Sequence, residues 1–286
     1  MNTKLFIPYD PLIAGLEYKT STFPSGESYV KLLAPGKIAD PIDIHYRWSG
    51  DSSLIQLFNF VNALRHKGAL VLNLFCAYFP GCRSDRVNEK NEGEALSSQV
   101  YADLVNSQMF NSVVIFDPHS DVTPAVLQRR RVVNNHAFVR GILTDFNNDF
   151  CFVSPDAGAN KKIDDLAQYI GGNHRVIRAD KKRDVETGKL VPGQCVVFDT
   201  DGYIKGRTCI VVDDICSRGG TFIALSKELK ALGASSVILI VSHYEGVADQ
   251  SALQAAGIDK VFTTTSLIGP TLPGSYVHTT PITNLL

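Results

Sequence analysis

The chain has 286 residues, enough for about two domains, and its 44% apolar and 20% charged content is that of a globular protein, not a disordered or collagen-like one. Its 28 lysines and arginines against 29 aspartates and glutamates leave a formal charge of −1, so no global positive field exists to hold nucleic acid or an anionic membrane. Any bound anion must be met by local charge.

The first clear element is a helix over Ser52–Lys67, where Leu54, Leu57, Phe58, Val61 and Leu64 recur at offsets of three and four and Gly68 supplies the stop. The apolar run ALVLNLFC, 69–76, then reads as a strand covered on both faces, which points to a parallel sheet. A helix from about Glu94 to Gln108 and the strand SVVIF, 112–116, follow, with Asp117 and His119 just past the strand end. The rhythm repeats as a strand at 151–154, a helix at 161–170 closed by Gly171, and a strand at 175–178. CVVF (195–198) and TCIVV (208–212) flank Thr200-Asp201-Gly202-Tyr203, whose Asp-Gly pair predicts a tight hairpin turn. A helix at 221–232, a strand at 236–241, a helix near 249–256 and a strand at 260–264 complete the series.

Such alternation specifies an α/β fold, and its extent predicts two tandem doubly wound domains with mainly parallel sheets. The polar, periodless TDFNND at 144–149 marks the expected junction, giving domains 1–144 and 145–286. No window approaches the ~20 apolar residues of a membrane span. The opening MNTKLFIPYDPL meets proline and acid too early for a secretory core. The six cysteines, at 76, 82, 151, 195, 209 and 216, form no CxxC pair, and reduced thiols in a cytoplasmic protein are expected.

In open α/β sheets ligands collect beyond the carboxyl ends of strands, so the residues after each apolar run carry the chemical information. CIVVDDICSRGGTF, 209–222, reads as a buried strand, two aspartates and a short loop of Ser217, Arg218, Gly219, Gly220 and Thr221 that opens a helix. Backbone N–H groups at a helix start, with glycines allowing close approach, form a nest for phosphate, and Arg218 adds charge. Asp213 and Asp214 suit the vicinal hydroxyls of a sugar attached to that phosphate. A lone Gly-Gly-Thr would be an ordinary capped turn. The two aspartates shift the reading to a sugar phosphate.

This stretch resembles the phosphoribosyl-diphosphate (PRPP) loop of type I phosphoribosyltransferases, and four further segments resemble the ribose-phosphate diphosphokinases, or PRPP synthetases. FCAYFPGCRSDR, 75–86, is similar to their ATP-binding segment, with Arg83, Ser84 and Asp85 at its Arg, Gln and Asp positions. FPSGE, 23–27, resembles the segment that reaches the adenine of ATP, often across a subunit interface. IFDPHSD (115–121) and VSPDAG (153–158) resemble two strand ends, and ADKKRD (179–184) resembles the mobile catalytic loop with its lysine-x-arginine signature. The likeness runs from about residue 22 to 266, in the family's order and with similar spacings.

The resemblance implies transfer of the β,γ-diphosphoryl group of MgATP to O1 of ribose 5-phosphate, with Mg²⁺ as cofactor and a homo-oligomer, a dimer or a hexamer of dimers, as the assembly. Lys181 and Arg183 become the catalytic cations. Spaced i, i+2, they would lie on one side of a locally extended segment, whereas a bare KKR run is usually a solvated loop. Phe23, Ser25, Glu27, Arg83, Ser84, Asp85 and His119 become the ATP-binding set. Asp213, Asp214 and Ser217 to Thr221 become the ribose 5-phosphate set, and His119 and Asp156 the metal positions. Ser25 stands where the family has aspartate, Ser84 where it has glutamine, and Ser217-Arg218 where it has Asp-Thr. A nucleobase phosphoribosyltransferase and a catalytically silent regulatory partner of a synthetase are the alternatives. The first leaves the N-terminal motifs unused. The second has no chemical need to keep Lys181, Arg183, His119, Asp156, Asp213 and Asp214 together.

Overall fold

Apolar strands and half-buried helices alternate along the chain in the computed structural model. It describes residues 2–8, 15–87, 93–146, 149–172, 174–183, 190–199 and 201–286, with the side chains of 181–183 and 190–193 outside the description. Two units separate, Met1–Asn134 and Asn135–Leu285.

The first unit runs β1 (Thr3–Ile7), β2 (Tyr18–Thr22), β3 (Ser28–Leu32), β4 (Ile42–Tyr46), α1 (Asp51–His66) and β5 (Leu72–Cys76). It continues through α2 (Ser97–Asn106), β6 (Ser112–Phe116), α3 (Val122–Val126) and β7 (Arg130–Val133). Its five-stranded sheet is parallel throughout, in the order β1-β4-β5-β6-β7. β2 and β3 form a separate antiparallel hairpin. The apolar stripe of α1, Leu54, Leu57, Val61 and Leu64 with Phe60, is buried against Ile42, Ile44, Leu72 and Leu74 of the sheet. Each such side chain contributes about 1.5–3 kcal/mol. The helix stops where Gly68, at φ +88°, donates its N–H to the Arg65 carbonyl at 2.9 Å.

The second unit runs α4 (His136–Leu143), β8 (Phe150–Ser154), α5 (Asn160–Ile170), β9 (Val176–Arg183), β10 (Leu190–Phe198) and β11 (Thr208–Cys216). α6 (Gly220–Ala231), β12 (Ser236–Tyr244), α7 (Gln250–Ala255), β13 (Lys260–Thr264) and β14 (Val277–Thr280) complete it. Its sheet order is β10-β9-β8-β11-β12-β13-β14, parallel except for β10 against β9. The chain thus builds outward from β8 in one direction, returns, and builds outward from β11 in the other. The β8–β11 junction is the switch point where such sheets bind ligands.

Three expectations change. The unit boundary falls at Asn134/Asn135 and not between 144 and 145, because α4 packs against α5 of the second unit. The Asp201-Gly202 turn does not close a hairpin: β10 pairs with β9 and β11 with β8, so the segment is a crossover. There the Asp199 carboxylate accepts from the Tyr203 and Ile204 N–H groups at 3.0 and 3.1 Å. Finally, Asp213 and Asp214 lie within β11, not past its end. β12 extends beside it and continues the ladder through Asp213–Val241 and Ile215–His243. Among the described residues no helix is long and apolar enough to cross a membrane.

Candidate functional site

In the first unit β5 and β6 are neighbours, with Cys76 opposite Ile115, so the segments that follow them, 75–86 and 115–121, leave the sheet side by side. The Pro80-Gly81-Cys82 turn is tight. Gly81 sits at φ +73°, and a Cβ there would meet the Ser97 carbonyl oxygen at 2.8 Å and Tyr101 Cδ2 at 2.6 Å. No other residue fits without moving α2. From that turn Ser84 donates its N–H to the Gly81 carbonyl at 2.9 Å and its hydroxyl to the Ala95 carbonyl at 2.8 Å. Arg83 is exposed beside it. Asp85 is buried, accepts a hydrogen bond from the Ser120 hydroxyl, and has Arg86 Nε at 3.7 Å. Ser120 in turn accepts from the Val122 N–H at 3.2 Å, at the start of α3. The bond joins the two expected nucleotide segments, one residue from the exposed His119. Ser120 was not expected, because only the β5–β6 pairing makes it a neighbour of Asp85.

Phe23 to Glu27 form the tip of the β2–β3 hairpin, closed by Phe23 N–H to the Glu27 carbonyl at 2.9 Å and turned at Gly26, φ +92°. All five tip residues are exposed. Ser25 donates to Glu27 Oε2 at 2.7 Å, and the Phe23 ring meets Tyr29 edge-on with centroids 5.9 Å apart. The expected nucleobase-contacting residues therefore form one rigid, solvent-facing tip.

In the second unit β8 pairs with β11 only as far as Val153–Val211. Beyond that pair no further β8–β11 pairing is described; Asp156 follows the end of β8, and Asp213 and Asp214 continue β11. Asp156 is half-buried, and its Oδ1 accepts from the Gly158 and Ala159 N–H groups at 3.0 and 3.2 Å, which holds the turn into α5. Asp213 Oδ1 accepts from the Asp214 N–H at 2.9 Å. Burial first, then the negative charge of Asp214 and more weakly of Asp156, push the Asp213 carboxyl well above the usual carboxylate range. After the strand, Ser217 and Arg218 lead to Gly219 in the left-handed region at φ +77°, which caps α6. A Cβ on Gly219 would meet Leu253 Cδ2 at 2.8 Å, so glycine is required twice over. The first turn of α6, at Gly220 and Thr221, thus opens its amides directly beyond the paired aspartates.

Lys181 and Arg183 stand two positions apart on β9, opposite Cys195 and Leu190 of β10, and their side chains lie outside the described residues. The segment 184–189 that joins these strands also lies outside them. No group of three or more His, Cys, Asp or Glu side chains forms a metal cage among the described residues. The crowded carboxylates at the β8–β11 junction still suit a hard divalent ion that arrives with phosphate and keeps several waters, the usual habit of Mg²⁺. His119 and Asp156 belong to different units.

Comparison with known proteins locates this architecture. Residues 128–264 match the family described as Phosphoribosyl transferase domain. A ribose-phosphate pyrophosphokinase of Thermococcus kodakarensis is 26% identical over 258 residues, spanning 89% of this chain and 87% of the relative. One of Pyrococcus furiosus is 27% identical over 268 residues, spanning 92% and 90%. The crystal structure of a phosphoribosylpyrophosphate synthetase from Mycobacterium smegmatis superposes with a TM-score of 0.79, covering 96% of this chain and 88% of that one at 21% identity. The likeness therefore spans both units and is not confined to the second.

Proposed function

We infer that this chain, a relative of the ribose-phosphate pyrophosphokinases with the PRPP synthetase fold, is itself a ribose-phosphate diphosphokinase. It transfers the β,γ-diphosphoryl group of ATP to O1 of ribose 5-phosphate and releases PRPP and AMP. O1 attacks the β-phosphorus, the bond from that phosphorus to the α,β-bridging oxygen breaks, and the O1 proton leaves. The observation that carries the reading is the junction of β8 and β11, where two carboxylates meet a glycine-capped helix start at a sheet switch point. That set recognises a pentose phosphate.

In this reading the amides of Gly219 to Thr221, with Ser217 and Arg218, hold the 5-phosphate, while Asp213 and Asp214 accept from the ring hydroxyls. Their carboxylates repel the incoming diphosphoryl group, so cations must offset them. Lys181 and Arg183 supply that charge, stabilising phosphoryl oxygens as AMP departs. The first unit holds the nucleotide. Arg83 forks onto its phosphates, His119 donates to the phosphate chain, and Phe23 and Glu27 of the hairpin tip meet the base, beside Ser25 and Ser84. Asp85, held by Ser120, fixes the Arg83 segment against the neighbouring strand end. Asp156, a hard oxygen donor, would hold a Mg²⁺ that supplies divalent charge against the phosphate oxygens. The exposure of the hairpin tip suits a homo-oligomer in which it reaches a nucleotide on a second copy.

A nucleobase phosphoribosyltransferase would use the second unit and leave the Asp85–Ser120 junction of the first without a task. A silent regulatory copy would have no use for the catalytic pair. Phosphorus NMR of the protein with MgATP and ribose 5-phosphate separates the readings. AMP together with a diphosphorylated sugar is the expected product pair. ADP would mark a single-phosphoryl kinase, and absence of reaction would sink the enzymatic reading.

A further inference from the structure

We propose that His243 is a positioning residue for the acceptor: it fixes the end of β12 so that the Asp213–Thr221 segment is held ready for a sugar phosphate. The inference rests on the acceptor reading above and assigns a residue that no sequence motif pointed to.

β12 outruns its partner β13, with which it pairs only to Ile240–Phe262. Beyond that point the described ladder continues on one side alone, through Asp213–Val241, Ile215–His243 and Cys216–Tyr244 to β11. On the open side, side chains replace the ladder. The Ser242 carbonyl accepts from the Thr264 hydroxyl at 2.7 Å and from the Ser266 hydroxyl at 3.3 Å. His243 Nδ1 lies 2.8 Å from Ser266 Oγ, and the Ser266 N–H donates to Thr264 Oγ1 at 3.2 Å. All four residues are buried, His243 at 3% exposure.

The Ser266 hydroxyl thus links the His243 ring to the Ser242 carbonyl. A buried imidazole without such a partner would be costly. Its position gives it leverage on the acceptor loop. Directly after β12, the Glu245 N–H donates to the Cys216 carbonyl at 3.0 Å, tying the next turn to the segment that leads into Ser217. Ala248 and Leu253, a few residues on, form the surface against which Gly219 is pressed. A shift in the end of β12 would therefore move the floor under the phosphate nest.

The test is binding of ribose 5-phosphate by calorimetry, with KM values for both substrates. His243→Ala should weaken ribose 5-phosphate binding and raise its KM about tenfold, as expected when a pre-organised loop is loosened, and leave the KM for ATP unchanged. His243→Asn, whose amide can meet the Ser266 hydroxyl from the place of Nδ1, should recover most of the loss. Ser266→Ala should copy the defect, and the double variant should be no worse than either single one, since both act on one contact. Ser266→Ala also decides the matter if His243→Ala does not fold. Equal rises in both KM values, a His243→Asn variant as weak as His243→Ala, or unchanged acceptor binding in Ser266→Ala would overturn the proposal. Failure of the parent protein to bind ribose 5-phosphate would instead overturn the acceptor reading itself.

Discussion

The two sheets place their candidate residues by different means. In the first unit the strands follow one another in chain order, and the nucleotide residues sit on what leaves the sheet: exposed Arg83, exposed His119 and an exposed hairpin tip. In the second unit the order reverses at β8–β11, and the proposed acceptor aspartates belong to the sheet itself, with Asp214 buried and the following Gly219 close against Leu253. Surface residues can change without disturbing the fold, whereas floor residues cannot. Substitutions at the exposed residues of the first unit should therefore alter binding alone, and those at Asp213, Asp214 and Gly219 of the second should alter binding and stability together.

The largest effect tests neither floor nor rim but the two cations of β9. Lys181→Ala or Arg183→Ala should lower kcat by about 10²–10³-fold, the range for removing one preorganised stabilising group, with the melting temperature little changed. Unchanged turnover in steady-state kinetics would remove the pair from the mechanism.

Asp213→Asn comes next and probes the floor directly. Loss of this acceptor should raise the KM for ribose 5-phosphate by about tenfold, corresponding to roughly 1.4 kcal/mol, and change the KM for ATP far less. Its stability effect has the opposite sign. Burial and Asp214 make the folded chain hold the Asp213 proton to higher pH than the unfolded chain does. Ionisation therefore opposes folding, fully above the folded pKa and not at all below the unfolded value of about 4. The asparagine variant should melt higher than the parent at about pH 8, with the gap closing as the pH falls towards about 4. A lower melting temperature at neutral pH would contradict the electrostatic account of the floor.

Glycine substitutions set the two units against each other at equal chemical cost. Gly219→Ala and Gly81→Ala each place a methyl group in strained backbone against close neighbours, for about 1–3 kcal/mol by denaturant unfolding. The first should raise the KM for ribose 5-phosphate, the second that for ATP. Crossed effects would break the division between the units. The smallest change is expected at the rim. Ser25→Asp, which restores the longer polar group, should shift the preference for ATP over GTP by only a few-fold, because the hairpin tip is solvated.

What the sequence shows and what it hides divide along the same line. Helices with a regular apolar stripe, such as α1 and α6, and strands with long apolar runs, such as β6 and β12, are legible because burial dictates their pattern. The hairpin strands YKTST and SYVKL are not, since they are largely exposed and carry no period. β7, an edge strand that opens with Arg130 and Arg131, reads as a loop, and the eight-residue α4 is too short to declare itself. The candidate residues in local motifs can be named one by one from the sequence. The Asp85–Ser120 bond, the charge of Asp156 on Asp213 and the His243–Ser266 contact depend on which strands are neighbours, and no single segment records that.

Hydrogen exchange read by mass spectrometry tests the division of labour most directly. Ribose 5-phosphate alone should slow exchange in peptides covering 209–222 and leave 75–86 unchanged. A non-hydrolysable ATP analogue with Mg²⁺ should slow exchange in 75–86 and 115–121. Protection of 75–86 by ribose 5-phosphate, or none at 209–222, would contradict the account.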